Sequence, residues 1–154
     1  MNLKELYQEI ILDHGKNPHN LKKIENFNKD AEGYNPLCGD KVHIYLKLDD
    51  KKNIEDISFE GSGCAISIAS ASIMTDLLKN KKEKEVREVI KDFLEMIKNK
   101  EKLSNQILKD DEKTKLMCLS GVKQYPMRVK CATLSWHTLV SAMENDGKEI
   151  STES

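Results

Sequence analysis

In the stretch Val42-His43-Ile44-Tyr45-Leu46-Lys47-Leu48, the residues Val42, Ile44, Leu46 and Leu48 fall on every second position, the period of a strand with one buried face. Asp49 to Asn53 reads as a turn, and Ile54 to Glu60, with Ile57 and Phe59 facing one way, returns as the antiparallel partner. The segment Gly61-Ser62-Gly63-Cys64 then leads into Ala65 to Lys79, a small and apolar run that suits a helix packed closely on a sheet, with Cys64 at its start.

Upstream, Leu3, Leu6, Tyr7, Ile10 and Ile11 recur at helical spacing, with Asn2 and Glu5 placed like a capping box and Gly15, Asn17 and Pro18 ending the run. A polar stretch from Asn20 to Asn35 follows. Downstream, Val86, Val89, Ile90, Phe93, Leu94 and Ile97 give an amphipathic helix, and weaker spacing at Leu103, Ile107 and Leu108 suggests a short one. Pro126 stands where a helix begins, and Leu134, Leu139, Val140 and Met143 carry the last helix to about Asn145. A length of 154 residues fits one domain, residues 1–154, with an ordered core of about 2–145 and a disordered tail from Asp146 to Ser154.

The formal net charge is −1, although 33% of residues are charged, so nothing pulls the chain toward nucleic acid or an anionic membrane. The basic run Lys79 to Lys84 reads as a solvated turn. Glu5, Glu9 and Asp13 interrupt the N-terminal apolar residues, unlike a signal peptide, and no apolar run is long enough to span a bilayer. A cytoplasmic setting with reduced thiols is the expectation.

Three of the four cysteines sit where strands and helices should begin or end: Cys38 in Asn35-Pro36-Leu37-Cys38-Gly39-Asp40, Cys64 after Gly63, and Cys131 in Arg128-Val129-Lys130-Cys131-Ala132. Cys38 and Asp40 share the parity of Val42 and Ile44, which puts both on one face if the strand begins there and turns His43 away. Cys64 and Cys131, each read as starting a helix, can complete a tetrahedral set of three sulfurs and one carboxylate around zinc. Three thiolates and a carboxylate around a dication leave −2, which two helix N-termini with Lys130 and Arg128 offset. No Cys-x-x-Cys is present, so spacing alone leaves this set and ordinary buried thiols both open. Cys118, among Leu116, Met117 and Leu119, reads as a packed structural thiol. His14 and His19 read as surface or helix-end residues, His137 as structural or as a support behind the ligands, not as a ligand, and Trp136 as core.

With their flanks these motifs resemble the U-type iron–sulfur assembly proteins, the IscU and NifU N-terminal family, and most closely its SufU branch. The resemblance runs from Leu6-Tyr7-Gln8-Glu9-Ile10-Ile11-Leu12-Asp13-His14 with Asn17-Pro18, through the Cys38 and Cys64 motifs, to Arg128-Val129-Lys130-Cys131-Ala132-Thr133-Leu134-Ser135-Trp136-His137. IscU-like scaffolds carry a histidine just before the last cysteine, where this chain has Lys130. Their Leu-Pro-Pro-Val-Lys chaperone motif is not reproduced by Gln124-Tyr125-Pro126-Met127-Arg128. The long segment between Cys64 and Cys131 is similar to that of the SufU branch, which has an insertion there.

The resemblance implies an α+β fold, a small antiparallel sheet with several helices packed on it, and zinc held by Cys38, Asp40, Cys64 and Cys131. It implies a PLP-dependent cysteine desulfurase as partner, with Cys38 accepting persulfide sulfur for downstream cluster assembly proteins, which makes the chain a sulfurtransferase. Arg128 reads as a support that positions a partner or steadies a thiolate, with a surface salt bridge as the alternative. Two other functions stay open: a scaffold that builds an iron–sulfur cluster on the same ligands, binding iron, and a zinc-stabilised interaction module. Lys130 favours the transferase over the scaffold.

Overall fold

In the computed structural model, which describes residues 2–144 and 150–151, the Val42 to Leu48 stretch lies within β2 (Asp40–Leu48). This strand pairs antiparallel with β1 (Lys29–Asn35) on one side and β3 (Ile54–Ser62) on the other. A two-residue β4 (Ile150–Ser151) adds parallel to β1, giving the order β3-β2-β1-β4. Part of the expected tail is therefore paired, and residues 146–149 and 152–154 lie outside the described residues.

Among the described residues the sheet is accompanied by the α-helices α1 (Leu3–Lys16), α2 (Ala65–Leu78), α3 (Glu83–Lys98), α4 (Asp110–Met117) and α5 (Pro126–Glu144), with a 3-10 helix (Cys118–Gln124) between the last two. Half of the expected capping box forms: the Glu5 backbone N–H donates to Asn2 Oδ1 at 2.9 Å, while Glu5 Oε1 accepts from the Asn2 side-chain amide at 3.3 Å. Helices α2 and α5 pack on the sheet and on each other, and α1 packs on α2. Val42, Ile44, Leu46, Ile57 and Phe59 are all buried against this layer. Trp136 of α5 is fully buried, stacks on Phe93 of α3 with ring centroids 4.4 Å apart, and donates its Nε1–H to Ser70 Oγ at 2.9 Å. Trp136 is thus core, as its context suggests.

Strand β1 runs through the end of the stretch read as merely polar. Its buried positions are Ala31, Gly33 and Asn35, which are small or polar and give no apolar alternation. A Cβ at Gly33 would stand 2.0 Å from Thr138 Oγ1, so glycine is what lets α5 lie directly on the strand. The short helix expected around Leu103 to Leu108 does not form. Leu103 and Leu108 are buried from an irregular segment instead, and the backbone there is organised by Asp92 of α3. Asp92 accepts the N–H groups of Ser104 and Asn105 and the Lys100 ammonium. These bonds outweigh the upward push of burial and hold its carboxyl well below the usual range. Helix α4 follows, with Leu116 its one buried residue, a pattern too weak to read from spacing. Among the described residues no helix is long and apolar enough to cross a membrane.

Candidate metal centre

Cys38 lies in the four-residue turn Pro36 to Gly39 that joins Asn35 of β1 to its partner Asp40 of β2. It is not on the strand, so the shared-face argument for Cys38 and Asp40 fails in its premise. The tight turn, closed by the Gly39 N–H on the Asn35 carbonyl at 2.8 Å and by Gly39 at φ +73°, is what brings the two side chains together. His43 does point away, to Asp30 Oδ2 at 2.6 Å on the opposite face.

Cys64 occupies the N-cap of α2, as the glycines before it suggest. Its backbone N–H donates to Asp40 Oδ1 at 2.9 Å, which ties the start of α2 to the start of β2. Gly63 sits at φ +148°, and a Cβ there would stand 2.2 Å from Asp40 Oδ1. Gly63→Ala is therefore expected to push the Asp40 carboxylate out of place and weaken metal binding at least tenfold, as measured by competition with a chelator. Unchanged affinity would remove Asp40 from the ligand set.

Cys131 departs from its sequence reading. Helix α5 begins at Pro126, so Cys131 falls in its second turn and not at its N-terminus, and it is completely buried. Its Sγ lies 3.4 Å from Cys38 Sγ, and Asn35 Nδ2 reaches it at 3.6 Å. One helix N-terminus, that of α2, serves the site, where two were expected. Burial, followed by hydrogen bonds with Asp40 and Cys38 and the charge of Cys64, pushes the Cys131 thiol up instead of down.

Donor atoms of Cys38, Asp40 and Cys131 lie within 4.8 Å of one another. The Cys64 thiol stands outside this closest trio yet engages that of Cys131. Three thiols and a carboxylate packed so tightly can all ionise only with a cation among them. Arg128, exposed on the first turn of α5, stands close enough to Cys64, Cys131 and Cys38 for these thiols to raise its already high pKa. Leu37, Tyr125 and Met127 are large apolar residues left exposed by the segments that carry Cys38 and Arg128.

Asn35 is the residue the sequence reading missed. It is fully buried, donates from Nδ2 to Asp40 Oδ2 at 3.3 Å as well as to Cys131, and accepts the Leu37 N–H on Oδ1 at 3.3 Å. It stands in the same motif as Cys38 and Asp40, and that position was the available signal. Cys118 is buried apart from these groups, with its thiol pushed up to about 12 by burial, as a structural thiol should be. His137 stays outside the donor group, and burial lowers its pKa.

Residues 6–132 match the family described as NifU-like N terminal domain. The chain belongs to that family. Among its relatives is the zinc-dependent sulfurtransferase SufU of Bacillus subtilis (strain 168), 43% identical over 138 residues, which are 90% of this chain and 89% of the relative. The iron-sulfur cluster assembly scaffold protein IscU of Streptococcus pyogenes serotype M1 is 37% identical over 142 residues, covering 92% and 85% of the two chains. In structure, a protein of Fervidobacterium islandicum AW-1 assigned as a cluster assembly scaffold for the SUF system superposes with a TM-score of 0.75 at 38% identity. That match covers 90% of this chain and 97% of the other. The α+β architecture is thus that of NifU-like N-terminal domains and their IscU and SufU relatives, with the Cys38 turn, the α2 cap and the second turn of α5 meeting at one end of the sheet.

Proposed function

We propose that this chain serves iron–sulfur cluster assembly as a zinc-dependent sulfur transferase, accepting persulfide sulfur at Cys38 from a PLP-dependent cysteine desulfurase. Cys38, Asp40, Cys64 and Cys131 hold the zinc in this reading. The donor set fits it: three sulfurs and one oxygen suit a borderline-soft ion, and donor atoms of Cys38, Asp40 and Cys131 already lie within 4.8 Å of one another. When bound, zinc keeps the thiols deprotonated at neutral pH.

The observation that carries the transferase reading is the unequal mounting of the thiols. Cys131 is sealed in α5, and Cys64, as partly exposed as Cys38, has its backbone held at the N-cap of α2 by the bond to Asp40, whereas Cys38 sits on a Pro- and Gly-flanked turn outside any helix or strand. The Cys38 thiolate attacks the outer sulfur of the desulfurase persulfide. A new S–S bond forms at Cys38 as the one on the desulfurase breaks, and the departing desulfurase thiolate takes up a proton, with no net oxidation. Asn35 and the Cys64 N–H hold Asp40 in place while Cys38 moves. Arg128 stands where it can steady the charge on the persulfide. Downstream cluster assembly proteins are the acceptors.

The IscU relatives support a second reading, in which an iron–sulfur cluster is built on the same residues and handed on. One experiment separates the two. Zinc-loaded protein mixed with a cysteine desulfurase and cysteine is expected to raise desulfurase turnover and gain one sulfur, mapped to Cys38 by mass spectrometry. Inhibition by zinc, with intact cluster transfer from the iron-loaded protein to an apo-ferredoxin, overturns the transferase in favour of the scaffold. Neither sulfur gain nor cluster transfer leaves the zinc-stabilised interaction module.

A further inference from the structure

A second group of donors meets far from the cysteines, where the end of α1 and the segment after it lie against α2. His14 is a helix-end residue in the last turn of α1, one of the two positions its sequence context suggests, and it is buried there. One ring nitrogen of His14, one of His19 and a carboxylate oxygen of Asp76 lie within 4.8 Å of one another. The two imidazole centroids are 4.6 Å apart. Asp76 follows Cys64 by three and a third helical turns, which puts the group about 18 Å along α2 from the first site.

We propose that His14, His19 and Asp76 form a second site for a first-row divalent cation, with zinc the best fit, independent of the cysteine site. Two imidazoles and one carboxylate are a ligand set that zinc takes in open, three-ligand sites, at roughly 2.0 to 2.2 Å from each donor. Drawing the three donors onto such a sphere asks for side-chain shifts of about an ångström.

What distinguishes the group from a chance cluster is that an outer layer of bonds fixes each member. Ser72, fully buried one helical turn before Asp76, holds His14 Nδ1 at 2.7 Å and accepts the His19 backbone N–H at 2.8 Å through the same hydroxyl. Asn20, at φ +59°, donates from Nδ2 to Asp76 Oδ1 at 3.2 Å and to Thr75 Oγ1 at 3.0 Å. Its carbonyl accepts the Phe59 N–H at 3.0 Å, which anchors the segment to β3. Asp76 Oδ2 is left to meet His19 Nδ1, where a hydrogen bond now joins them. A cation replaces the proton of that bond, releasing it to solvent. Ligands held from behind in this way are what a metal site requires, and the side chains of His19 and Asp76 remain 47% and 28% exposed, open to an entering ion.

The consequence is a clamp, since the three donors come from α1, the segment after it and α2. The test is a cobalt titration of the full-length protein already carrying one equivalent of zinc. Expected is a further equivalent of cobalt with visible d–d bands and no sulfur-to-cobalt charge transfer, bound at least tenfold more weakly in His19→Ala and in Asp76→Asn. Both variants should retain the first equivalent of zinc and normal sulfur acceptance at Cys38. Absence of a further equivalent, cobalt binding only with a thiolate charge-transfer band, or binding undiminished in both variants overturns the proposal. Because the readout is nitrogen and oxygen ligation, its failure leaves the cysteine site untouched, and failure of the transferase reading leaves this site standing.

Discussion

Cys131→Ser and Cys64→Ser are expected to lose the zinc, while Cys118→Ser keeps a full equivalent. Cys131 is wholly buried, with its Sγ 3.4 Å from that of Cys38 and beside the Asp40 carboxylate, so a hydroxyl there removes the sulfur that Cys38 and Asp40 share as a neighbour. Cys64 contributes both a thiol and the backbone N–H that orients Asp40, and only the thiol is lost in the serine variant. Cys118 lies in the core at the end of α4, apart from the donors. Apparent zinc-binding energies of about 10 to 16 kcal/mol in small zinc-finger domains set the scale, so the loss in affinity should span several orders of magnitude. Elemental analysis after a chelator wash reads it directly. The melting temperature should fall as well, with the core of this 154-residue chain still folding without the ion. Full zinc retention in both Cys64→Ser and Cys131→Ser would sink the ligand assignment.

The second large effect falls on chemistry, with the fold spared. Cys38→Ser should abolish sulfur gain and bring desulfurase turnover down to that of the desulfurase alone. Its circular dichroism should stay that of the parent chain, because the Pro36 to Gly39 turn takes no part in the hydrophobic core. Serine keeps the turn geometry but cannot attack a persulfide sulfur at useful rates near neutral pH, since its hydroxyl stays protonated. Sulfur appearing on Cys64 or Cys131 in this variant would move the acceptor role to another thiol.

The elements legible in the sequence are those whose buried faces are built from large apolar residues. Val42 to Leu48, the run after Cys64 and the Val86 to Ile97 stripe each announce their period, and β2, α2 and α3 follow them closely. β1 was not legible because Ala31, Gly33 and Asn35 are chosen for closeness to α5 and for the metal centre. The grouping of Cys38, Asp40 and Cys131 was legible in the sequence, and the way each is mounted less so. Gly63 and Cys64 fall as read, but Cys38 belongs to a turn and Cys131 to a helix interior, because Pro126 starts α5 six residues earlier than a cap at Cys131 requires. The counting rule that places Pro in a first turn already contained that correction. Of the two readings open for His14, surface or helix end, the helix end holds, and its burial was not legible because the helix packed over it, here α2, is not announced by α1's own sequence.

Cys38 and Cys131 stand 93 positions apart along the chain and 3.4 Å apart in space. No stretch of unfolded polypeptide can present these donors together without meeting the full entropy of closing so long a loop, so the ion has almost nothing to bind until the domain has formed. Free zinc at a hundred times the dissociation constant then adds about 2.7 kcal/mol to the native state, and its withdrawal takes the same amount away. Proteases that sample unfolded chains would therefore remove this protein faster in a zinc-starved cell, and its abundance becomes a gauge of metal supply.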